Sequence, residues 1–261
     1  MALRPFRRSA DAGRIAGGRG SGNRLDHAVQ AYLHRHWQGR RVSEPRRSDG
    51  VTLIGGGAVD AADLDLALAF APRLIAADVG ADAAVALGAL PDHAIGDFDS
   101  ISDQTRAALG PARLTHVAEQ DSTDFAKALT RIKADFVIAV GFSGRRLDHT
   151  LAALNVMVRH PSPPCIMLAA EDIVFLAPDH LDLPLIAGTR VSLFPMGQAR
   201  GRSTGLRWPV DDIEFAPDQR IGTSNQALGP VRLQIEGPMM IMLPRECLRL
   251  TLDALSVPTS A

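Results

Sequence analysis

The chain has 261 residues, 46% of them hydrophobic and 22% charged, with a formal net charge of −1. That is the composition of a soluble globular protein with room for one large or two ordinary domains, and the near-neutral charge argues against a general nucleic-acid binder. The balance conceals an asymmetry, because residues 1–50 carry a net +7 and the remainder a net −8. The two cysteines, Cys165 and Cys247, are too few for a disulfide framework and have no metal-ligand spacing, which points to a reducing cytosol and a cytoplasmic protein. No run of 18 uncharged apolar residues is present to span a membrane, and the start lacks the apolar core of a secretory signal.

Residues 1–48 are rich in Arg, Gly and Ser, with one possible short helix at Leu25–Trp37, and read as a basic, mostly disordered tail. Val51–Ile54 is a β-rich run followed by Gly55-Gly56-Gly57 and a helical pattern from Asp60 to Phe70. A strand, glycine turn and helix open a nucleotide-type α/β unit, where backbone N–H groups of Gly55, Gly56 and Gly57 approach phosphate; a plain tight turn is the alternative. The chain has no G-x-x-x-x-G-K-[ST], so it is not a P-loop enzyme. A second strand, Leu74–Ala77, places Asp78 at its tip, and a helix is expected over Ala83–Leu87.

The short run Ala94-Ile95 leads into Gly96-Asp97-Phe98-Asp99-Ser100. Residues two apart on an extended backbone point the same way, so Asp97 and Asp99 present two carboxylates to one point. Two such groups repel unless a cation lies between them, and an oxygen-rich strand tip suits Mg²⁺ carrying a phosphate. The competing reading is an Asp/Ser turn capping a helix over Ser102–Leu109. Further strands are expected at Arg113–Val117 and Phe136–Val140. This alternation predicts a mostly parallel sheet with its acidic strand tips gathered on one edge.

Asp121-Ser-Thr-Asp124 reads as the start of a helix with Asp121 at the N-cap. Asp121, Asp124 and Lys127 are spaced three apart and would share one helical face, an arrangement that suits either a cap or a metal–phosphate site. Gly141-Phe-Ser-Gly144-Arg-Arg146-Leu-Asp148-His149 follows the Phe136 strand. Its glycines permit close backbone approach, Arg146 can fork onto phosphate oxygens, and Asp148 opens a helix; a surface Arg–Asp pair is the plain alternative. Leu147, Leu151, Leu154 and Val158 form an apolar stripe expected to face the core. His149 reads as a packing or hydrogen-bonding residue, since no second His stands at a metal spacing.

Pro161-Ser-Pro-Pro164 ends the pattern. Cys165–Ala170, Asp172–Leu176, Arg190–Phe194, Ile213–Phe215, Val231–Glu236 and Met239–Leu243 then read as strands of an antiparallel β-sandwich, with no convincing helix after Gly188. The expected organisation is a tail over residues 1–48, an α/β domain over 49–180 and an all-β domain over 181–258.

The ordered set Gly96–Ser100, Asp121–Asp124 with Lys127, and Gly144–His149 resembles the motif series of thiamine pyrophosphokinases. Val191-Ser-Leu-Phe-Pro195, Thr204-Gly-Leu-Arg-Trp-Pro209 and Thr223-Ser-Asn225-Gln-Ala-Leu-Gly229 resemble that family's thiamine-binding sandwich. The resemblance runs from about Val51 to Leu243 and implies Mg²⁺-dependent transfer of a pyrophosphoryl group from ATP to the hydroxyl of thiamine. It further implies that Asp97, Asp99 and Asp121 hold the metal, that Asp124 completes the acidic site, and that Lys127 and Arg146 neutralise the phosphates. Asp148 would orient metal, arginine or nucleophile. The Gly55–Gly57 turn, Asp78, Ser100 and Gly144 would surround the nucleotide. Trp208 would stack on thiamine through its pyrimidine or its cationic thiazolium, with Thr223, Ser224 and Asn225 hydrogen-bonding the pyrimidine. A homodimer with the active site between subunits is implied as well. Two departures from the family pattern stand out: Val79 replaces the first glycine of Asp-Gly-Gly-Ala, and Arg145 replaces the second of Gly-Gly-Arg. A pyrophosphokinase acting on another alcohol such as a pterin, or a non-catalytic thiamine- or nucleotide-binding regulator, are the alternative functions.

Overall fold

The computed structural model describes residues 49–255; the basic tail and its expected helix lie outside them. Five short apolar segments form strands that pair in parallel with a sixth: β1 (Gly50–Ile54), β2 (Arg73–Ala77), β3 (His93–Gly96), β4 (Leu114–His116), β5 (Phe136–Val140) and β6 (Cys165–Leu168), in the order β4-β3-β2-β1-β5-β6. Every residue of β1 and of β5 is buried, as expected of parallel strands covered on both faces. Helices connect them: α1 (Ala61–Phe70), α2 (Gly80–Ala86), α3 (Asp103–Leu109), α4 (Asp124–Leu129) and α5 (Leu147–Arg159).

The sheet does not stop at β6. β7 (Asp172–Leu176) joins β6 antiparallel and is followed across the sheet by β13 (Met239–Pro244), β9 (Arg190–Pro195) and the start of β12 (Gly222–Glu236). The 15-residue β12 then continues into a second antiparallel sheet, where it pairs with β8 (His180–Leu183) and β10 (Ala199–Leu206), with β11 (Ile213–Phe215) outside β10. Along its latter part Val231, Leu233 and Ile235 are buried while Arg232, Gln234 and Glu236 are exposed, the period-two pattern read from the sequence. Of two apolar clusters among the described residues, the larger runs from Ile54 and Ile138 through Phe175 to Leu193 and Leu233, and the other gathers Val51, Leu53, Val137 and Met157. The change from parallel to antiparallel pairing therefore takes place inside one continuous sheet, at β6–β7.

Four expectations are corrected. A short amphipathic helix, α6 (Leu248–Leu255), follows β13, burying Leu248, Thr251 and Leu252. Strands β8 and β10 were not anticipated. Helix α4 begins at Asp124 with Thr123 as its cap, the Thr123 hydroxyl accepting from the Ala126 N–H at 3.2 Å. Asp121 lies before the helix because the Glu119 carboxylate already accepts the Asp121 and Ser122 N–H groups at 3.0 and 3.1 Å, which holds that segment as a loop. Finally, Leu147 and Leu151 do not face the core: they are 73% and 55% exposed, and α5 instead buries Ala153, Leu154, Val156 and Met157.

Candidate active site

The carboxyl ends of β1 to β5 open onto one cleft of about 610 Å³. From β1 comes the Gly55–Gly57 turn, which interlocks with the turn after β5: the Gly57 N–H donates to the Gly141 carbonyl at 2.7 Å. A Cβ at Gly57 would lie 2.5 Å from that carbonyl oxygen, so the sequence needs glycine there. From β2 comes Asp78, buried and in a left-handed conformation at φ 44°. From β3 come Asp97, Asp99 and Ser100. From α4 and the loop before it come Asp124, Lys127 and Gln120, and from the turn after β5 come Gly144, Arg145 and Arg146.

Asp78, Asp97 and Asp99 each bring a carboxylate oxygen within 4.8 Å of the other two. Asp121 is not in this trio, and it does not line the cleft. Of the expected metal set Asp97, Asp99 and Asp121, the structure brings Asp97 and Asp99 together, with Asp78 rather than Asp121 beside them. The reason is the loop held by Glu119, which leaves Asp121 short of the helix face it was expected to share.

Charge is unevenly distributed around the trio. Burial pushes the Asp78 carboxyl above the ordinary carboxylate range, with Asp124 and Asp97 adding repulsion and the Phe98 N–H partly offsetting both. Asp97 is held below that range by its hydrogen bond to Lys127, whose Nζ lies 2.7 Å from Asp97 Oδ2 and 3.3 Å from Asp124 Oδ1. Lys127 is only 2% exposed. Burial alone would lower its pKa, but the two carboxylates outweigh burial and the net shift is upward. Gln120 Nε2 donates to the same Asp97 oxygen at 3.2 Å, and Ser100 donates to Asp99 at 2.7 Å. Gln120 was missed in the sequence because a neutral amide carries no charge pattern.

Arg146 and Asp148 form a two-pronged pair, with Nε–Oδ1 at 3.1 Å and Nη2–Oδ2 at 2.5 Å. Both are well exposed, and Arg146 lines the cleft whereas Asp148 does not. Asp148 is joined to the cleft lining by this pair with Arg146. His149, read as a packing or hydrogen-bonding residue, lines the cleft. Val79 is accommodated because Asp78, not Val79, takes the left-handed backbone; Val79 sits at φ −57°, with its Cγ1 packed where Gly56 has no side chain. Arg145 does occupy a left-handed position, at φ 44°.

The second group of expected residues lies elsewhere: Trp208, Thr223, Ser224 and Asn225 line no part of this cleft. Trp208 is 54% exposed, with the Arg207 guanidinium 5.0 Å over its ring. On β12, Thr223 and Ser224 are exposed and the next residue, Asn225, is buried. The Asn225 side chain, expected to hydrogen-bond the pyrimidine, is bonded to the backbone of Trp208.

Two sequence profiles match the chain in order: "Thiamin pyrophosphokinase, catalytic domain" over residues 64–167 and "Thiamin pyrophosphokinase, vitamin B1 binding domain" over residues 180–240. The chain belongs to the thiamin pyrophosphokinase family. Among its relatives is thiamine pyrophosphokinase 1 of Oryza sativa subsp. japonica, 29% identical over 155 residues, which are 52% of this chain and 58% of the rice protein. The thiamine pyrophosphokinase of Bacillus subtilis (strain 168) is 33% identical over 91 residues, 33% of this chain and 42% of that one. The chain thus spans little more than half the length of the plant relatives it matches. The fold agrees with solved structures. The Bacillus subtilis enzyme superposes with a TM-score of 0.61 at 21% identity, covering 75% of this chain and 98% of that one. Thiamin pyrophosphokinase from Candida albicans gives 0.63 at 15% identity, covering 75% and 89%.

Proposed function

We propose that the protein is a thiamine diphosphokinase, moving the β,γ-pyrophosphoryl group of ATP onto the hydroxyethyl oxygen of thiamine and releasing AMP. The observation that carries this reading is the gathering of Asp78, Asp97, Asp99 and Lys127 at the strand tips of a chain whose family is defined by that chemistry. Three carboxylates within reach of one point form a hard, all-oxygen donor set, which suits Mg²⁺. When bound, Mg²⁺ would supply charge neutralisation for a triphosphate.

The chain's own groups do the rest. The Gly55–Gly57 and Gly141–Gly144 turns let backbone come close to phosphate oxygens. Lys127 holds a buried positive charge beside the acids, and exposed Arg146 is free to leave Asp148 and fork onto the moving phosphates. The O–P bond to the β-phosphorus forms as the α–β bridging bond breaks, and the electron pair leaves on AMP. Asp124, in the cleft, takes the hydroxyl proton in this scheme; Asp121 lines no part of the cleft and has no direct role.

Arg207 already covers one face of the Trp208 indole. A second cation on the opposite face would be disfavoured, so the neutral pyrimidine is the ring we place on Trp208. A homodimer is part of the proposal. What supports it is that Trp208 and the acid cleft do not share a lining within one chain, together with the exposed Leu147 and Leu151 beside the cleft.

The test is product analysis with purified protein, thiamine, ATP and Mg²⁺, alongside Asp99→Asn. Thiamine diphosphate and AMP in equal amounts, lost in the variant and with chelator, is the expected result. ADP with thiamine monophosphate would overturn the reaction type, and tight thiamine binding without turnover would favour a regulator.

A further inference from the structure

At residues 222–225 the pairing of β12 with β9 breaks register, and Ser224 adopts φ 62°. A left-handed backbone is uncommon for serine and persists only where its surroundings hold it. Here the holder is Ser192 on β9, buried at 5% exposure, whose Oγ accepts the Ser224 N–H at 3.1 Å. One residue on, the Asn225 side chain, at 6% exposure, grips Trp208 from both sides. Its Oδ1 accepts the Trp208 N–H at 3.2 Å and its Nδ2 donates to the Trp208 carbonyl at 2.7 Å. The same Oδ1 also accepts the Gln226 N–H at 2.8 Å. Both acceptor lone pairs of the amide are therefore used within the protein.

The pattern is two buried polar side chains, each bonded to the backbone of an exposed neighbour that faces solvent. We infer that Ser192 and Asn225 are positioning residues, a buried shelf that fixes the exposed Ser224 and Trp208 as a rigid surface for a flat heteroaromatic ring. Neither touches the ligand. The inference rests on the thiamine reading for the identity of that ring, but not for the shelf itself.

The test separates the two. The chain has two tryptophans, Trp37 and Trp208, so Trp37→Phe leaves Trp208 as the sole tryptophan, excited at about 295 nm, clear of Tyr32. In that background, time-resolved anisotropy of the substrate-free protein is compared for the parent, Asn225→Ala and Ser192→Ala, together with steady-state kinetics. The expected result is added nanosecond motion of Trp208 in Asn225→Ala before any ligand is present. The thiamine KM should rise about 10-fold, the usual consequence of losing a buried hydrogen bond, while kcat and the ATP KM stay within about 2-fold. Asn225→Asp keeps the acceptor but sets a carboxylate oxygen against the Trp208 carbonyl, so it should leave Trp208 about as mobile as Asn225→Ala does. Ser192→Ala should show the smaller change in the same direction, and it carries the test if Asn225→Ala fails to fold by circular dichroism. Unchanged anisotropy with a raised thiamine KM would make Asn225 a ligand contact and overturn the inference; so would no change in either. A parent protein that does not turn thiamine over would sink the proposed function but leave the anisotropy result to decide the shelf.

Discussion

The Asp78 carboxylate accepts the Phe98 N–H at 2.8 Å, tying the tip of β2 to the loop that leaves β3. Both residues sit in left-handed backbone, at φ 44° and 59°. This one bond holds a buried acid close to both Asp97 and Asp99. Such a site is costly when no cation is bound, because burial and two neighbouring carboxylates raise the Asp78 pKa.

The sign of that shift gives the first prediction. A carboxyl whose folded pKa lies above its unfolded value leaves the fold most stable where the group is protonated in both states, and stability falls as pH rises through the folded value. Asn at position 78 keeps an acceptor for the Phe98 N–H, tolerates left-handed φ well and never ionises. Asp78→Asn should therefore raise the Tm of metal-free protein at pH 7 by roughly 2–4 °C, the effect of about 1 kcal/mol in a chain of this size. The gain should disappear towards pH 4 and reverse in excess Mg²⁺, which stabilises only the parent. Activity should be lost. A lower Tm for the metal-free variant at pH 7 would contradict the account.

Lys127 works in the opposite sense. It keeps Asp97 ionised to lower pH than usual, so the pair contributes stability above the unfolded carboxylate pKa that is lost as pH falls through the depressed folded value. Lys127→Met should lower stability at pH 7, with the gap to the parent closing as pH falls below the ordinary carboxylate range. The Asp97 resonance should titrate at higher pH by carbon-13 NMR. If Lys127 also meets phosphate, kcat should fall by about 10²–10³, the scale for losing one preorganised charge donor. An unchanged Asp97 titration would show that the ion pair is not what lowers it.

The two adjacent arginines should separate cleanly. Arg145 is held at φ 44°, a conformation natural for the glycine that the family resemblance puts there. Arg145→Gly should leave activity within a few-fold and stabilise by up to about 1 kcal/mol, since relief of the left-handed penalty outweighs the entropy cost of glycine. Arg146→Ala breaks only an exposed ion pair, so stability should hold to within about 0.5 kcal/mol, while kcat falls about 100-fold. The reverse outcome would assign the phosphate contact to Arg145.

The sequence revealed the strand-tip acids because parallel strands are short apolar runs, and whatever follows each must lie on the same sheet edge. It hid the position of Asp121, since the side chain that decides the helix start is Glu119, two residues before it. It hid β10 because Ala199–Leu206 carries only two apolar residues, at its ends, with arginine, glycine, serine and threonine between; its place is set by pairing with β12 and β11. Periodicity correctly marked Leu147 and Leu151 as an apolar stripe. What periodicity cannot distinguish is a stripe packed in the chain's own core from one left for another surface.

That stripe gives the last prediction. Two leucines four apart on α5 present adjacent side chains at 73% and 55% exposure, a costly surface beside a cleft lined by His149 and Ala152 of the same helix. If a second copy covers them, the double substitution Leu147→Glu/Leu151→Glu should not unfold the monomer, because neither side chain is in its core. It should instead weaken self-association and make specific activity depend on protein concentration. Sedimentation equilibrium of parent and variant checks this directly. A parent that is monomeric at micromolar concentration, or a variant that associates as tightly as the parent, would show that the stripe is not the contact between subunits.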